Sequence, residues 1–114
     1  MKISEISTLL SAEVLCCNDM IDAEVHSACG SDMMSDVLAY VKDQAVLLTG
    51  LVNPQVVRTA EMMDMRCIVF VRNKKPSNEM IELAADASIV LMSTSRRMFE
   101  ACGLLYSNGL KPNS

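Results

Sequence analysis

The sequence predicts a single α/β domain with three layers: a mostly parallel central sheet, helices on both faces, and room for one mixed edge strand. Strand-like apolar runs begin near residues 46, 67 and 89, a spacing of 21 and then 22 residues, and a helical pattern follows each run. This alternation is typical of right-handed βαβ crossovers. The chain has 114 residues, of which 51% are hydrophobic. That length suits one domain over residues 1–114, with a sizeable core.

The first βα unit sets the pattern for the units that follow. Residues 46–49 read Val-Leu-Leu-Thr, as expected for a parallel strand that helices cover on both faces. Gly50 permits a sharp turn, and Asn53 followed by Pro54 predicts a capped helix start. Two further units repeat this plan, with strands predicted over 67–71 and 89–92.

The helices of those later units have clear boundaries. Ser77 is predicted to cap the first of them, and Asn108-Gly109 is predicted to end the last one. Five apolar residues of the last helix are predicted to face inward: Met98, Phe99, Cys102, Leu105 and Tyr106.

The chain before residue 45 is predicted to pack against these units. Residues 2–11 have the apolar spacing of an amphipathic helix, and residues 12–17 form an apolar strand candidate. Residues 22–29 alternate loosely between apolar and polar. They predict a second strand, which we place near an edge of the sheet because it is rather polar.

A helix is predicted over residues 32–43, with Ser31 and Asp32 as candidate caps. Its apolar residues fall at the spacing of one buried helical face. The positions predicted to face inward are Met34, Val37, Leu38 and Val41.

Composition argues against several functional classes. The net charge of -4 argues against general nucleic-acid binding, which needs a basic face. No apolar run approaches the roughly 18–20 residues needed to span a bilayer. The N-terminus lacks the basic start and the apolar segment of a secretory signal, so a cytoplasmic location is expected.

The residues that most often carry catalysis or bind metals form no recognisable arrangement. The five cysteines include no CxxC pair, which predicts reduced thiols, with a redox role for Cys16-Cys17 as an alternative. His26 and Cys29 would point to opposite faces of a strand, so no metal site is predicted. No cofactor and no enzymatic activity are predicted, since no nucleophile–base pattern is present.

One edge of the predicted sheet has the composition of a ligand site. In open parallel sheets, ligands bind beyond the carboxyl ends of the strands, where helix N-termini also point. Polar and cationic residues there indicate a pocket for an anion. Its candidate residues are Thr49, Gly50, Asn53, Arg72, Asn73, Lys74, Ser93 and Thr94, with Lys75, Arg96 and Arg97 nearby.

Two alternatives to this ligand site stay open. Loops are polar in any protein, and Ser and Thr often serve only as helix caps. Asp32 and Asp36, four residues apart on one predicted helix, form a second candidate site as an acid/base pair or a magnesium site. No GxxxxGK[ST] or GxGxxG motif is present.

The segment Gly-Ser-Asp-Met-Met-Ser-Asp-Val-Leu-Ala at residues 30–39 resembles the "SDLMSDVLA" segment of DRTGG domains. The residues that carry this resemblance are Ser31, Asp32, Ser35 and Asp36. The strand-turn-helix over 46–60 and the Lys75-Pro76-Ser77 turn also fit the family pattern, and the resemblance extends from about residue 2 to residue 109. Residues 50–54 stand where a Gly-Asp-Arg-like turn is usual, and residues 71–74 stand where Thr-Gly-Gly is common.

This resemblance implies a role in regulation. DRTGG domains occur beside CBS domains in regulated pyrophosphatases and in longer phosphotransacetylase-type chains, where they resemble regulatory or dimer-forming modules without assigned catalytic residues. Similar stand-alone chains are encoded near iron hydrogenase and redox genes. We therefore predict a non-catalytic regulatory or scaffolding module that forms a homodimer. The alternative is a sensor that binds a nucleotide or another phosphate-bearing metabolite.

Overall fold

The computed structural model describes residues 1–41 and 44–112 and contains one five-stranded sheet. The strands lie in the order β1-β5-β4-β3-β2. Their bounds are β1 Glu13–Cys16, β2 Ser27–Gly30, β3 Ala45–Thr49, β4 Cys67–Phe70 and β5 Val90–Ser93. The α-helices are α1 Ile3–Leu10, α2 Met34–Tyr40, α3 Pro54–Met62, α4 Asn78–Asp86 and α5 Met98–Ser107.

The sheet is parallel from β2 to β5, and β1 runs antiparallel to β5 at one edge. The predicted α/β architecture with a mixed edge strand is therefore confirmed. Every residue of β3, β4 and β5 is buried, because the sheet has helices on both faces. Successive residues alternate between two apolar cores: Val46 and Leu48 face α1 and α5, while Leu47 faces α2, α3 and α4.

Several predicted helix ends are confirmed by their hydrogen bonds. The Asn53 side chain accepts a hydrogen bond of 2.8 Å from the Gln55 amide and begins α3. The Ser77 hydroxyl accepts one from the Met80 amide at 3.3 Å and begins α4. Asn108 ends α5, and Gly109 follows with φ +107°, a left-handed conformation that glycine adopts without strain. Within the described residues, no helix combines the length and apolarity that crossing a bilayer requires.

The predicted strand over residues 22–29 is too long, because only its last part pairs with the sheet. β2 begins at Ser27 and forms an edge, as expected. The preceding residues instead bond to the start of α1: the Ile21 carbonyl accepts from the Ser4 amide at 2.8 Å, and the Ala23 carbonyl accepts from the Ile3 amide at 3.0 Å.

The helix predicted over residues 32–43 is shorter, and its predicted caps are wrong. α2 starts after Met33, which makes no side-chain capping bond, and Val41 is already extended. The Asp32 carboxylate is used in a contact with the β3 turn instead of capping this helix. Leu38, predicted to face inward, is exposed. The last residues of the predicted helix, 42 and 43, lie outside the described part of the chain.

The predicted inward face of α5 is wrong at two aromatic residues. Phe99 is 93% exposed and Tyr106 is 55% exposed. The helix is buried through Ala101 and Leu105 instead, which lie four residues apart on one face. Phe99 and Tyr106, seven residues apart, share a different and solvent-facing side.

Thr94 ties α1 to the end of β5, which gives a test of the fold. Its buried hydroxyl donates a hydrogen bond of 2.7 Å to the Leu10 carbonyl. Thr94→Val leaves that carbonyl without its partner, so we expect the free energy of unfolding to fall by about 1–3 kcal/mol in urea denaturation. Thr8→Val is the matched control, because the Thr8 hydroxyl is exposed and bonds within α1. An equal loss in both variants would contradict this role of Thr94.

Candidate functional site

A cleft opens where the parallel strands end, at the edge of the sheet predicted to bind an anion. We call it the strand-end cleft. It has a volume of about 430 Å³ and is lined by Gly30, Ser31, Asp32, Val71, Arg72, Arg97, Met98 and Phe99. A second cavity, of about 600 Å³, lies against the same two arginines together with Asn73 and Ser95. Cavities of this size are typical of small-molecule sites.

Asp32 joins the loop after β2 to the turn after β3. Its Oδ1 accepts a hydrogen bond of 2.7 Å from the Gly50 amide and one of 3.0 Å from the Thr49 hydroxyl. The Thr49 hydroxyl in turn accepts from the Leu51 amide at 3.1 Å. The Oδ1 oxygen of Asp32 and the hydroxyl of Thr49 are therefore both engaged in hydrogen bonds that hold the wall of the cleft in place.

Arg72 packs directly on the Gly50 backbone. A Cβ at Gly50 would overlap a terminal nitrogen of the Arg72 guanidinium, so only glycine permits this approach. The guanidinium thereby lies beside the turn that Asp32 holds, at the floor of the cleft. Arg97, the residue that precedes α5, supplies the second cation.

The loop after β4 has a left-handed backbone at two successive residues that are not glycine. Arg72 has φ 57° and Asn73 has φ 62°. Left-handed conformations cost roughly 1–2 kcal/mol for most L-residues, and less for Asn. Two hydrogen bonds of 2.8 Å hold the loop, from the Arg72 amide to the Arg96 carbonyl and from the Asn73 amide to the Thr94 carbonyl. These bonds hold Arg72 and Asn73, which line the two cavities, against the loop after β5.

Three of the remaining predicted ligand residues use their side chains in hydrogen bonds within the fold. The Asn53 side chain caps α3, the Ser93 hydroxyl donates to the Lys74 carbonyl at 2.7 Å, and Thr94 bonds to Leu10. The Lys74 side chain is exposed and does not line the strand-end cleft. Its neighbour Lys75 pairs with Glu13 at 3.3 Å.

The residues that carry the family-like segment fall in two places. Ser31 and Asp32 line the cleft, and the Ser31 hydroxyl accepts a hydrogen bond of 2.9 Å from the Met33 amide. Ser35 and Asp36 lie on the exposed side of α2. The two carboxylates therefore differ in their contacts: Asp32 bonds to the β3 turn, whereas Asp36 is exposed on α2.

Phe99 is the cleft residue that sequence reasoning placed in the core. Its apolar character suggested burial, although it lies out of phase with Ala101 and Leu105. This difference in helical phase is the sequence signal that could have placed Phe99 on the surface. Phe99 lines the cleft from the first turn of α5 and is almost fully exposed to solvent.

A second unusual surface surrounds the outer edge of β2, and we call it the β2-edge surface. Grooves of about 190 and 290 Å³ run along β2, between it and α2 on one side and α5 on the other, and Pro112 lines both of them. The second groove is mostly apolar. Two large exposed side chains line these grooves: Tyr40, the last residue of α2, and Tyr106 on α5. Met33, which precedes α2, and Phe99 on α5 are also exposed.

The thiols of Cys17, Cys29, Cys67 and Cys102 are in environments that oppose ionisation. Burial raises the pKa of Cys17 to about 11, with smaller contributions from the Cys16 thiol and the Asp19 carboxylate. Burial likewise raises the pKa of Cys29, Cys67 and Cys102. The thiolate is the reactive form, so these residues are poorly suited to nucleophilic chemistry. In the described residues, no cluster of three or more His, Cys, Asp or Glu side chains has metal-binding geometry.

Comparisons with known proteins identify the fold and its family. The model of the DRTGG domain matches residues 5–107. A similar solved structure is that of the CBS and DRTGG domains of the regulatory region of Clostridium perfringens pyrophosphatase, complexed with the activator diadenosine tetraphosphate. It has a TM-score of 0.72 and 18% sequence identity, and the alignment covers 91% of this chain and 45% of that one. The search of curated proteins found no significant match.

The contacts of Asp32 give a test of the cleft wall. Asp32→Ala removes the acceptor for the Gly50 amide and the Thr49 hydroxyl, so we expect a loss of about 1–2 kcal/mol in the free energy of unfolding. Asp36→Ala, on the exposed side of α2, is expected to change it by less than about 0.5 kcal/mol. Chemical denaturation of both variants measures the difference. Equal stabilities would show that Asp32 contributes nothing to the wall.

Proposed function

The chain belongs to the DRTGG domain family, and on that basis we propose that it is a non-catalytic regulatory or scaffolding module that acts as a homodimer. The resemblance of the fold to the regulatory region of a pyrophosphatase supports a regulatory role. The aligned region spans less than half of that neighbour, so its ligand and its partner domains do not transfer directly. We also propose a cytoplasmic location, in keeping with five free thiols.

The β2-edge surface is the observation that carries the homodimer. Tyr40 is 70% exposed and Met33 is 60% exposed on one side of the strand, opposite the exposed aromatic residues of α5. Isolated exposed apolar residues are common, but several on one side of a domain are typical of an interaction site. Two-fold dimers are the commonest symmetric assemblies, so a second copy is the favoured occupant.

A second candidate function is the sensing of a phosphate-bearing ligand in the strand-end cleft. Arg72 and Arg97 provide two guanidinium groups, against one carboxylate from Asp32. One oxygen of that carboxylate is already bonded to Gly50 and Thr49. Guanidinium groups bind phosphate oxygens in a two-pronged geometry, and the first amides of α5 add partial positive charge. The activator bound in the neighbour's structure, a nucleotide, belongs to the same class of ligand.

The homodimer is tested by light scattering coupled to gel filtration over a concentration series. We expect a mass of twice 12.5 kDa at micromolar concentration, falling toward 12.5 kDa on dilution. A mass of one chain at every concentration would remove the homodimer proposal.

The ligand candidate is tested by thermal shift with AMP, ADP, ATP, diadenosine tetraphosphate and pyrophosphate. At a ligand concentration of about one hundred times Kd, the folded state gains about 2.7 kcal/mol, which raises the Tm by several degrees. Arg72→Gly removes the guanidinium while keeping a residue suited to φ 57°, so we expect the shift to disappear.

Arg58→Ala is the control for this experiment, because Arg58 is exposed on α3 and does not line the cleft. The shift should be the same in Arg58→Ala as in the unmodified chain. An unchanged shift in Arg72→Gly, or no shift with any of the five compounds, would exclude binding of these ligands at the strand-end cleft.

A further inference from the structure

We propose that the strand-end cleft binds a nucleoside diphosphate or triphosphate. The phosphates bind Arg72 and Arg97. The ribose lies against Asp32, and the base stacks on Phe99. This inference rests on the proposed ligand-sensing function, and it specifies the class of ligand and the place of each of its parts.

The guanidinium groups of Arg72 and Arg97 are available to bind phosphate. Both line the cleft, and within the described residues neither side chain makes a hydrogen bond or an ion pair. Each guanidinium can hold phosphate oxygens by two parallel hydrogen bonds. Two guanidiniums at one cavity therefore match a chain of two or more phosphates better than a single phosphate.

Local charge favours a polyanion here, although the whole chain carries a net charge of -4. Asp32 places one carboxylate in the lining of the cleft, against two guanidiniums. Glu100, the acid in the first turn of α5, is paired with Arg96 at 3.2 Å, so its charge is compensated. The uncompensated charge at the cleft is therefore positive, which raises the local concentration of anionic ligands.

The start of α5 adds hydrogen-bond donors to the same site. Arg97, which precedes the helix, makes no side-chain capping bond, whereas Asn53 and Ser77 cap α3 and α4. The hydrogen bonds of α5 begin at Ala101, whose amide donates to the Arg97 carbonyl at 2.9 Å. In the described chain, the helical amides before it, those of residues 98–100, have no partner. Such amides donate readily to phosphate oxygens, and here they follow a cationic residue.

Arg72 and Arg97 also line the second cavity, so a phosphate chain bound to them can extend into it from the strand-end cleft. The other residues that line the second cavity are polar, namely Asn73 and Ser95. Both are exposed, and neither side chain makes a hydrogen bond to another described residue. They supply donors for the end of the phosphate chain. The nucleoside therefore belongs on the opposite side, in the strand-end cleft.

Phe99 supplies a flat apolar surface for the base. Its side chain is 93% exposed in the first turn of α5, so it contributes little to the core. It lines the strand-end cleft together with Val71 and Met98, whereas the second cavity has a polar lining. Stacking of a base on an aromatic side chain typically raises affinity by about tenfold or more, whichever base is present. The ring therefore distinguishes a nucleotide from an inorganic phosphate.

Asp32 lies where the ribose follows the phosphates. Its Oδ1 accepts a hydrogen bond from the Gly50 amide at 2.7 Å, and the Arg72 guanidinium packs on the same glycine. The other carboxylate oxygen accepts no hydrogen bond from the described residues. In a nucleotide, the group next to the phosphates is the ribose, whose hydroxyls commonly donate to a carboxylate. The free oxygen of Asp32 therefore has a partner in a nucleotide and none in a bare polyphosphate.

Calorimetric titration with ADP, AMP and pyrophosphate separates the parts of this site. We expect ADP to bind at least about tenfold tighter than pyrophosphate, which lacks the nucleoside, and tighter than AMP, which lacks the second phosphate. Phe99→Leu keeps an apolar side chain but removes the ring, so the Kd of ADP should rise about tenfold while that of pyrophosphate stays the same. Phe99→Tyr keeps the ring and should retain the affinity for ADP.

Met62→Ala is the control, because Met62 is 67% exposed on α3 and lines neither cavity. Its Kd for ADP should equal that of the unmodified chain. Circular dichroism confirms that all the variants are folded.

Asp32→Asn tests the contact with the ribose. The variant keeps one oxygen for the Gly50 amide and the Thr49 hydroxyl, and it replaces the other oxygen by an amide nitrogen. The unmodified chain should bind ADP about threefold to tenfold tighter than its dideoxy analogue, which lacks both ribose hydroxyls, and Asp32→Asn should lose most of this preference. Both ligands carry the same phosphates, so the comparison is independent of the lost charge. A preference of the same size in Asp32→Asn would overturn the placement of the ribose.

A chain that binds neither ADP nor pyrophosphate would remove both the ligand-sensing function and the nucleotide assignment. If pyrophosphate binds as tightly as ADP, or if Phe99→Leu leaves the Kd of ADP unchanged, the cleft is an anion site without a place for a nucleoside. That result would overturn the nucleotide assignment alone. Equal affinities for AMP and ADP would overturn the requirement for a second phosphate.

Discussion

Burial of both faces of β3, β4 and β5 is the constraint on which the other features of the molecule depend. These strands are apolar apart from their last polar residues, Thr49 and Ser93, so each face of the sheet must be covered by helices. The three crossover helices cover one face, and α1 and α5 cover the other. In the described chain, β2 pairs with β3 alone and forms one edge of this covered sheet.

The same arrangement creates the strand-end cleft. The loops that follow parallel strands lie on one side of the sheet. Hydrogen bonds between these loops engage some of the polar side chains there, and others face the cleft. The hydroxyls of Thr49, Ser93 and Thr94 are used in this way. The guanidiniums of Arg72 and Arg97 line the cavity instead. A ligand in this cleft would be recognised mainly by its charge and shape, because these three hydroxyls are already bonded within the protein.

The periodic parts of the fold were predictable from sequence because they depend on local pattern. Buried runs such as residues 67–71 and caps such as Ser77 need little knowledge of distant residues. Asp32 was misassigned because it satisfied the rule for a cap, while its actual partners, Thr49 and Gly50, are distant in sequence. Long-range hydrogen bonds override local propensity in such cases.

The aromatic residues of α5 were misplaced for a different reason. Apolar character alone suggested that Phe99 and Tyr106 were buried, but a helix on one face of a sheet buries only a limited stripe. Ala101 and Leu105 fill that stripe, and the small side chain of Ala101 lets α5 lie close to the sheet. For the candidate site, the edge of the sheet was predictable from topology. Its cation arrangement was not, because it depends on how the loop after β4 folds back.

The loop after β4 places non-glycine side chains on a backbone conformation that glycine favours. DRTGG domains commonly have Thr-Gly-Gly where this chain has residues 71–74. Here Arg72 and Asn73 adopt the left-handed conformation that glycine favours, held by bonds to the loop after β5. The strain is of order 1–2 kcal/mol per residue, comparable to the net contribution of those bonds. The loop therefore combines a backbone conformation that glycine favours with a guanidinium that glycine lacks. Gly50 accommodates that guanidinium at the turn after β3.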